Sequence, residues 1–190
     1  MGVIDVFMNI TVKDKKGKVV DKRRVKCNSF VKNFLLLLNA GFRKTGVAVV
    51  DIDGTSVTSG VKGVWRNWCN NGFGDKTWCN SGSMTFGRYG LLLVGAGAKD
   101  SSYGIIVGSG TTPVSPDDYK LENQIAHGTA DGQLYYGDTD VLDVVVQENK
   151  IIQGLQRQFT NQGAVDVEIN EIGVVVKTTE NNYKVLILSL

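Results

Sequence analysis

A mainly β fold, two antiparallel sheets stacked as a jelly-roll-like sandwich with one short α-helix near residues 29–40, is what three features of this 190-residue chain predict. Apolar residues recur at alternate positions in most segments, turn-forming residues separate those segments at short intervals, and one stretch alone has convincing helical spacing. An α/β fold would need helices alternating with strands.

The first element is a hairpin. Val6, Met8, Ile10 and Val12 alternate, the pattern stops at Lys13-Asp14, Lys15-Lys-Gly17-Lys supplies the turn, and Val19 to Val25 returns. Basic residues crowd both sides of that turn, the composition of a solvated hairpin end. The helix follows, with Asn28 or Ser29 as its cap, a broad apolar face from Phe30, Val31, Phe34, Leu35, Leu37 and Leu38, and Gly41 as its stop. So short and apolar a helix is marginal alone, which predicts packing against a sheet.

Val47 to Ile52 and Ser56 to Val64 read as two strands around Asp53-Gly54. A near-repeat comes next, Trp68-Cys-Asn-Asn-Gly72 and Trp78-Cys-Asn-Ser-Gly82, which two arms of one loop would explain. Met84 to Val94 reads as a strand and Gly95 to Asp100 as a flexible connector. Ile105 to Val107 reads as a buried strand, followed by a loop in which Pro113 and Pro116 fix φ and Asp117 and Asp118 bond back to the backbone. Further strands are predicted over Gln133 to Tyr136, Val141 to Gln147, Ile151 to Thr160, Val165 to Val176 and Tyr183 to Leu188, with turns at Asn149-Lys150 and Asn181-Asn182.

Two of these stretches, Gly104 to Ile125 and Arg157 to Val176, carry a resemblance. Gly108-Ser-Gly-Thr-Thr-Pro-Val-Ser-Pro-Asp-Asp-Tyr-Lys-Leu121 and Phe159-Thr-Asn-Gln-Gly163, leading into Ile169-Asn-Glu-Ile-Gly173, resemble a family of structural proteins encoded by tailed bacteriophages and related double-stranded DNA viruses. Asn28-Ser-Phe-Val-Lys-Asn-Phe34 fits as the start of an early helix, and Ser109 stands where Thr is usual. Residues 45–102 match nothing in that pattern and read as a variable, loop-rich region within a single domain spanning 1–190. The resemblance implies a non-enzymatic virion protein assembled in the host cytoplasm. Its partners would be further copies of itself and other virion proteins, such as a major capsid or tail protein, on the capsid exterior or in the tail.

Composition is compatible with that and excludes other classes. A net charge of +2, with 21% charged and 42% hydrophobic residues, is that of a globular protein rather than one whose main partner is nucleic acid. Met1-Gly-Val-Ile gives way at once to Asp5, unlike a secretory leader, and Phe34 to Leu38 is too short to cross a bilayer, so no membrane partner is expected.

No catalytic constellation stands out. His127 is the sole histidine, with no nucleophile motif to serve, and it is placed to pin the adjacent loop. Gly108-Ser-Gly110 lacks the Lys and the following helix of a phosphate loop. Asp117-Asp118, Asp138 with Asp140, and Glu168 with Glu171 match no calcium-loop spacing, and acids interleaved with strand hydrophobes are expected to face solvent. No cofactor and no metal site are expected.

Cys69 and Cys79 occupy equivalent places in the near-repeat, where a disulfide can form if the two arms pair; a reducing cytoplasm argues for free thiols. With Cys27 the only other thiol, the spacing matches no standard zinc site. Trp65, Trp68 and Trp78 sit in one Gly-rich region, as interface anchors or, with Tyr135 and Tyr136, as a platform for a host surface glycan; ordinary core packing explains the tryptophans equally.

Overall fold

The computed structural model describes residues 5–27, 30–42, 47–59, 93–148, 150–177 and 183–189. Among them the fold is mainly β, every sheet antiparallel, with one helix. Chain order is β1 (Val6–Lys13), β2 (Val19–Cys27), α1 (Lys32–Phe42), β3 (Val47–Val50), β4 (Ser56–Ser59), β5 (Gly104–Gly108), β6 (Tyr135–Val141), β7 (Val145–Gln147), β8 (Lys150–Ile152), β9 (Leu155–Thr160), β10 (Glu171–Lys177) and β11 (Lys184–Ser189).

The centre is a three-stranded sheet in the order β11-β10-β5. Adjacent residues on β10 and β11 serve opposite faces, because side chains alternate along a pleated strand. Val175 and Leu186 join Ile106, Val107, Leu121, Ile125, Leu134 and Tyr136 in one core cluster, against which Phe159 packs. Val176 and Val185 turn the other way, to Leu37 of α1 and to Val49 and Val57 of β3 and β4. Burial on both faces accounts for the unbroken apolar runs Val174-Val-Val176 and Val185-Leu-Ile-Leu188, which lack simple alternation.

The first hairpin forms where expected. Asp14 Oδ1 accepts the amides of Lys16 and Lys18, each at 2.9 Å, and Gly17 takes the left-handed φ of 83° that the reversal needs. Val6, Met8 and Ile10 are half-buried while Phe7, Asn9 and Thr11 are exposed, the predicted alternation, which fails at its last member because Val12 is exposed too.

Several boundaries differ from expectation. The helix starts at Lys32 rather than 29, because Phe30 bridges to Leu188 and the Val31 amide donates to Ile187 O at 3.3 Å, tying that stretch to β11. Gly41 lies inside the helix instead of ending it, and the proposed caps Asn28 and Ser29 lie outside the described residues. Residues 165–170 make no ladder, so the return strand begins at Glu171; there the Asn170 amide already reaches Gly108 O at 3.0 Å. Strand β6 runs through Gly137-Asp-Thr-Asp140, where a break was expected, and absorbs the irregularity as a register shift between Tyr136 and Thr139. Beyond it, Gln153-Gly154 splits the expected Ile151 to Thr160 strand into β8 and β9. Most of the predicted Met84 to Val94 strand, and the continuation of β4 past residue 59, lie outside the described residues.

Candidate functional site

The two stretches singled out in the sequence are neighbours in space. Strands β5 and β10 pair antiparallel, with Glu171 opposite Gly108 and Gly173 opposite Ile106. That register delivers the Glu171 carboxylate to the loop after β5. Its Oε2 accepts the amides of Gly110 at 2.9 Å and Asn123 at 3.2 Å, and its Oε1 that of Glu122 at 2.8 Å. Glu171 is buried, which corrects the expectation that this acid faces solvent; three backbone donors replace the water it gives up.

A second carboxylate completes the lock. Glu122 Oε2 accepts the amides of Thr111 at 2.8 Å and Thr112 at 3.0 Å. The Thr112 amide and hydroxyl and the Thr111 amide together hold the Glu122 carboxyl below its ordinary value. The glycines of Gly108-Ser-Gly110 follow from this packing. A Cβ on Gly108 would run into Glu171 Oε2, and one on Gly110 would lie 2.6 Å from both Glu122 Cβ and Glu171 Oε2. The motif is glycine-rich because carboxylates, not phosphates, crowd its backbone.

The loop's far end meets the helix. Ser115 N–H donates to Asp118 Oδ2 at 2.7 Å, the Lys32 amide donates to Pro116 O at 2.7 Å, and Lys32 Nζ lies 3.6 Å from Asp117 Oδ1. Between them lies a recess of about 260 Å³ lined by Lys32, Leu36, Val50, Ser56, Pro116 and Tyr119. Asn33, buried beside it, donates to Val50 O at 2.9 Å and accepts Val50 N–H at 3.2 Å, fastening helix to strand.

A second hub sits under β6 and β9. Tyr136 is fully buried, its hydroxyl donates to Ile125 O at 2.6 Å, and the Phe159 ring meets it edge-on at 4.9 Å. Burial raises the pKa of that phenol, an effect only partly offset by its hydrogen bonding at Val107 and by Arg157. The Arg157 guanidinium stacks 4.8 Å from the Tyr136 ring and donates to backbone carbonyls of Gly137 at 2.9 Å, Tyr103 at 3.1 Å and Ile105 at 2.9 Å, and also to those of Gly97 and Asp100. The supposed connector at 95–100 is thereby tied down, with Ala96 buried and the Ala98 amide donating to Asp138 Oδ1 at 2.7 Å. Burial works against ionisation of Asp100, but the hydroxyl and amide of Ser102, aided by Lys177 and Lys184, outweigh it and lower its pKa.

His127 belongs to this hub. Its Nδ1 accepts the Tyr136 amide at 3.2 Å and its ring meets Tyr135 edge-on at 5.2 Å, so it pins the residues beside the loop. Tyr136 is excluded from any glycan platform by its burial. Tyr135 is half-buried with its ring against His127, and Trp65, Trp68 and Trp78, with the pair Cys69 and Cys79, lie outside the described residues. Among the described residues no group of three or more His, Cys, Asp or Glu is placed to hold a metal, and no helix is long and apolar enough to cross a membrane.

Sequence reasoning missed Arg157, Glu122 and Asn33. Each acts on backbone groups and has polar neighbours in sequence, Gln156 and Gln158, Asn123 and Gln124, and Lys32, so no local signal set it apart. The charge-bearing side chains thus converge on main-chain donors and acceptors, an arrangement that fixes loops in place. Comparison with family models, curated proteins and solved structures finds no match to this chain.

Proposed function

We propose that this protein is a non-enzymatic structural component of a virus particle, an oligomeric building block of the capsid exterior or the tail, folded as a two-sheet sandwich in a single domain. One observation carries the reading. The three segments behind the resemblance, far apart in sequence, meet in one core cluster: Val31 beside the helix start, Leu121 at the end of the loop and Phe159 and Ile172 from the later stretch all pack there, while Lys32 N–H donates to Pro116 O and Glu171 holds the Gly110 amide. That the stretches carrying the resemblance supply contacts that build this core supports the reading.

The chemistry of those contacts supports the same reading. Glu171, Glu122, Arg157 and His127, the side chains with the greatest chemical potential in this region, bond main-chain groups of their own chain. Its partners are then further copies of itself and neighbouring virion proteins, with no cofactor required. Mass spectrometry of density-gradient-purified particles tests this: the polypeptide is expected at a stoichiometry of many copies per particle. Its presence in infected cells but absence from particles would overturn the proposal.

A further inference from the structure

Charge is segregated along the chain although its sum is near zero. The first hairpin carries Lys13, Lys15, Lys16 and Lys18 around its tip and Lys22, Arg24 and Lys26 on one face. Of its acids, Asp14 is turned into the tip's hydrogen bonds, Asp21 pairs with Arg23 at 2.6 Å and Asp5 with Lys26 at 2.7 Å. The stretch from β6 to β8 is the reverse: it carries Asp138, Asp140, Asp143 and Glu148 against one cation of its own, Lys150, with Asp138 already engaged by the Ala98 amide and near Arg157 of β9.

Both regions also expose aliphatic surface. On β7 and β8, Val146 is 70% and Ile151 77% exposed, and Val141, Leu142, Val144 and Val145 beside them are exposed as well. On the first hairpin Phe7 is exposed on the same face as Lys22, Arg24 and Lys26, and Val20 is exposed where the register shifts, while Val6, Met8, Ile10 and Val12 lie on the opposite face. Neither hairpin contributes a described residue to either core cluster. Exposed aliphatic side chains paired directly across two strands, as Val146 and Ile151 are, mark an interaction site. The β7–β8 arm is also held at its base, where Gln153 Nε2 donates to Leu142 O at 2.6 Å and the Leu142 amide to Gly154 O at 2.9 Å, so it is presented at a set angle.

From this complementarity we infer that the basic β1–β2 hairpin of one copy docks on the acidic, aliphatic stretch from Asp140 to Ile152 of a second copy, in which Asp140 and Asp143 precede the β7–β8 arm, a head-to-tail contact. It deepens the oligomer named above by assigning its two surfaces. The occupant is a second copy because one patch supplies anions and aliphatic surface that complement the cations and exposed apolar side chains of the other; a nucleic acid would satisfy the cations alone. Head-to-tail contacts of this type close into rings or propagate as filaments, the geometry of repeating particle components.

Light scattering after size-exclusion chromatography of the full chain, at low and high salt, tests the contact. The unaltered protein is expected as a multimer that dissociates as salt rises, since the steering charges are exposed. Lys22→Glu with Arg24→Glu, and separately Asp140→Lys with Asp143→Lys, are each expected to weaken self-association on the order of a hundredfold, and mixing the two variants to restore assembly in a one-to-one ratio. A monomer under all conditions, a multimer indifferent to salt, or variants that still assemble alone would overturn it. So would a chain that stays monomeric and binds an oligonucleotide duplex through Lys22 and Arg24. The last outcomes leave the virion reading standing if the polypeptide is still found in particles.

Discussion

The loop between β5 and β6 and the arm formed by β7 and β8 are both built of short strands and turns, yet they are stabilised in opposite ways. In the loop, two carboxylates take five backbone amides, and Leu121 and Ile125 are buried beneath. In the arm, every described residue of both strands is exposed, and apolar side chains point at solvent. The first region is satisfied by described residues of its own chain, whereas no described residue covers the second. Polar satisfaction inside and apolar exposure outside distinguish a fold's anchor from its docking surface.

The sharpest way to break that comparison is to cut the hub. Tyr136→Ala is expected to cost about 3–5 kcal/mol, as removal of a large buried aromatic does, and thermal or denaturant unfolding measures it. Should the loss fall below that of a surface substitution, the hub is not the anchor. Glu171→Ala comes next: the amides of Gly110, Glu122 and Asn123 lose their acceptor together, for an expected cost of about 2–4 kcal/mol and faster hydrogen exchange at those three positions.

Arg157→Lys keeps the charge but loses the planar fork that reaches several carbonyls, and is expected to destabilise by roughly 1–3 kcal/mol despite its conservative appearance. Glu122 sharpens the comparison through pH. Its carboxyl is held low in the folded state, so the stabilisation it gives is present at neutral pH and lost as pH falls through that lowered value. The difference in melting temperature between the unaltered protein and Glu122→Gln is expected to shrink on acidification, together with the protection of the Thr111 and Thr112 amides. In the arm, by contrast, Ile151→Thr is expected to change monomer stability by no more than about 0.5 kcal/mol while weakening self-association. A large stability loss there would show the arm to be core.

Local rules made much of the architecture readable. The hairpin of β1 and β2, the turn at Asp53-Gly54 and the strand from Lys184 declare themselves because alternation and turn chemistry act over a few residues. The Asn161 turn is similar: its side chain donates to Val165 O at 2.8 Å and accepts the Gly163 amide at 3.0 Å. Boundaries were less legible where a remote strand intervened, as at Phe30 and Val31, drawn off the helix by β11.

What the sequence alone determined is thus the β class, the single described helix near its expected place, and the stretches around Gly108 and Glu171 where the chain spends its special residues. Only the tertiary structure decided that Glu171 is an interior acceptor, that Arg157 gathers carbonyls from distant segments, and that the central sheet is covered on both faces. A strand's period of two records which residues share a face, while the identity of the surface opposite depends on contacts between residues tens of positions apart. A carboxylate's role depends in turn on whether backbone donors arrive to replace its water, and those donors are brought by the fold.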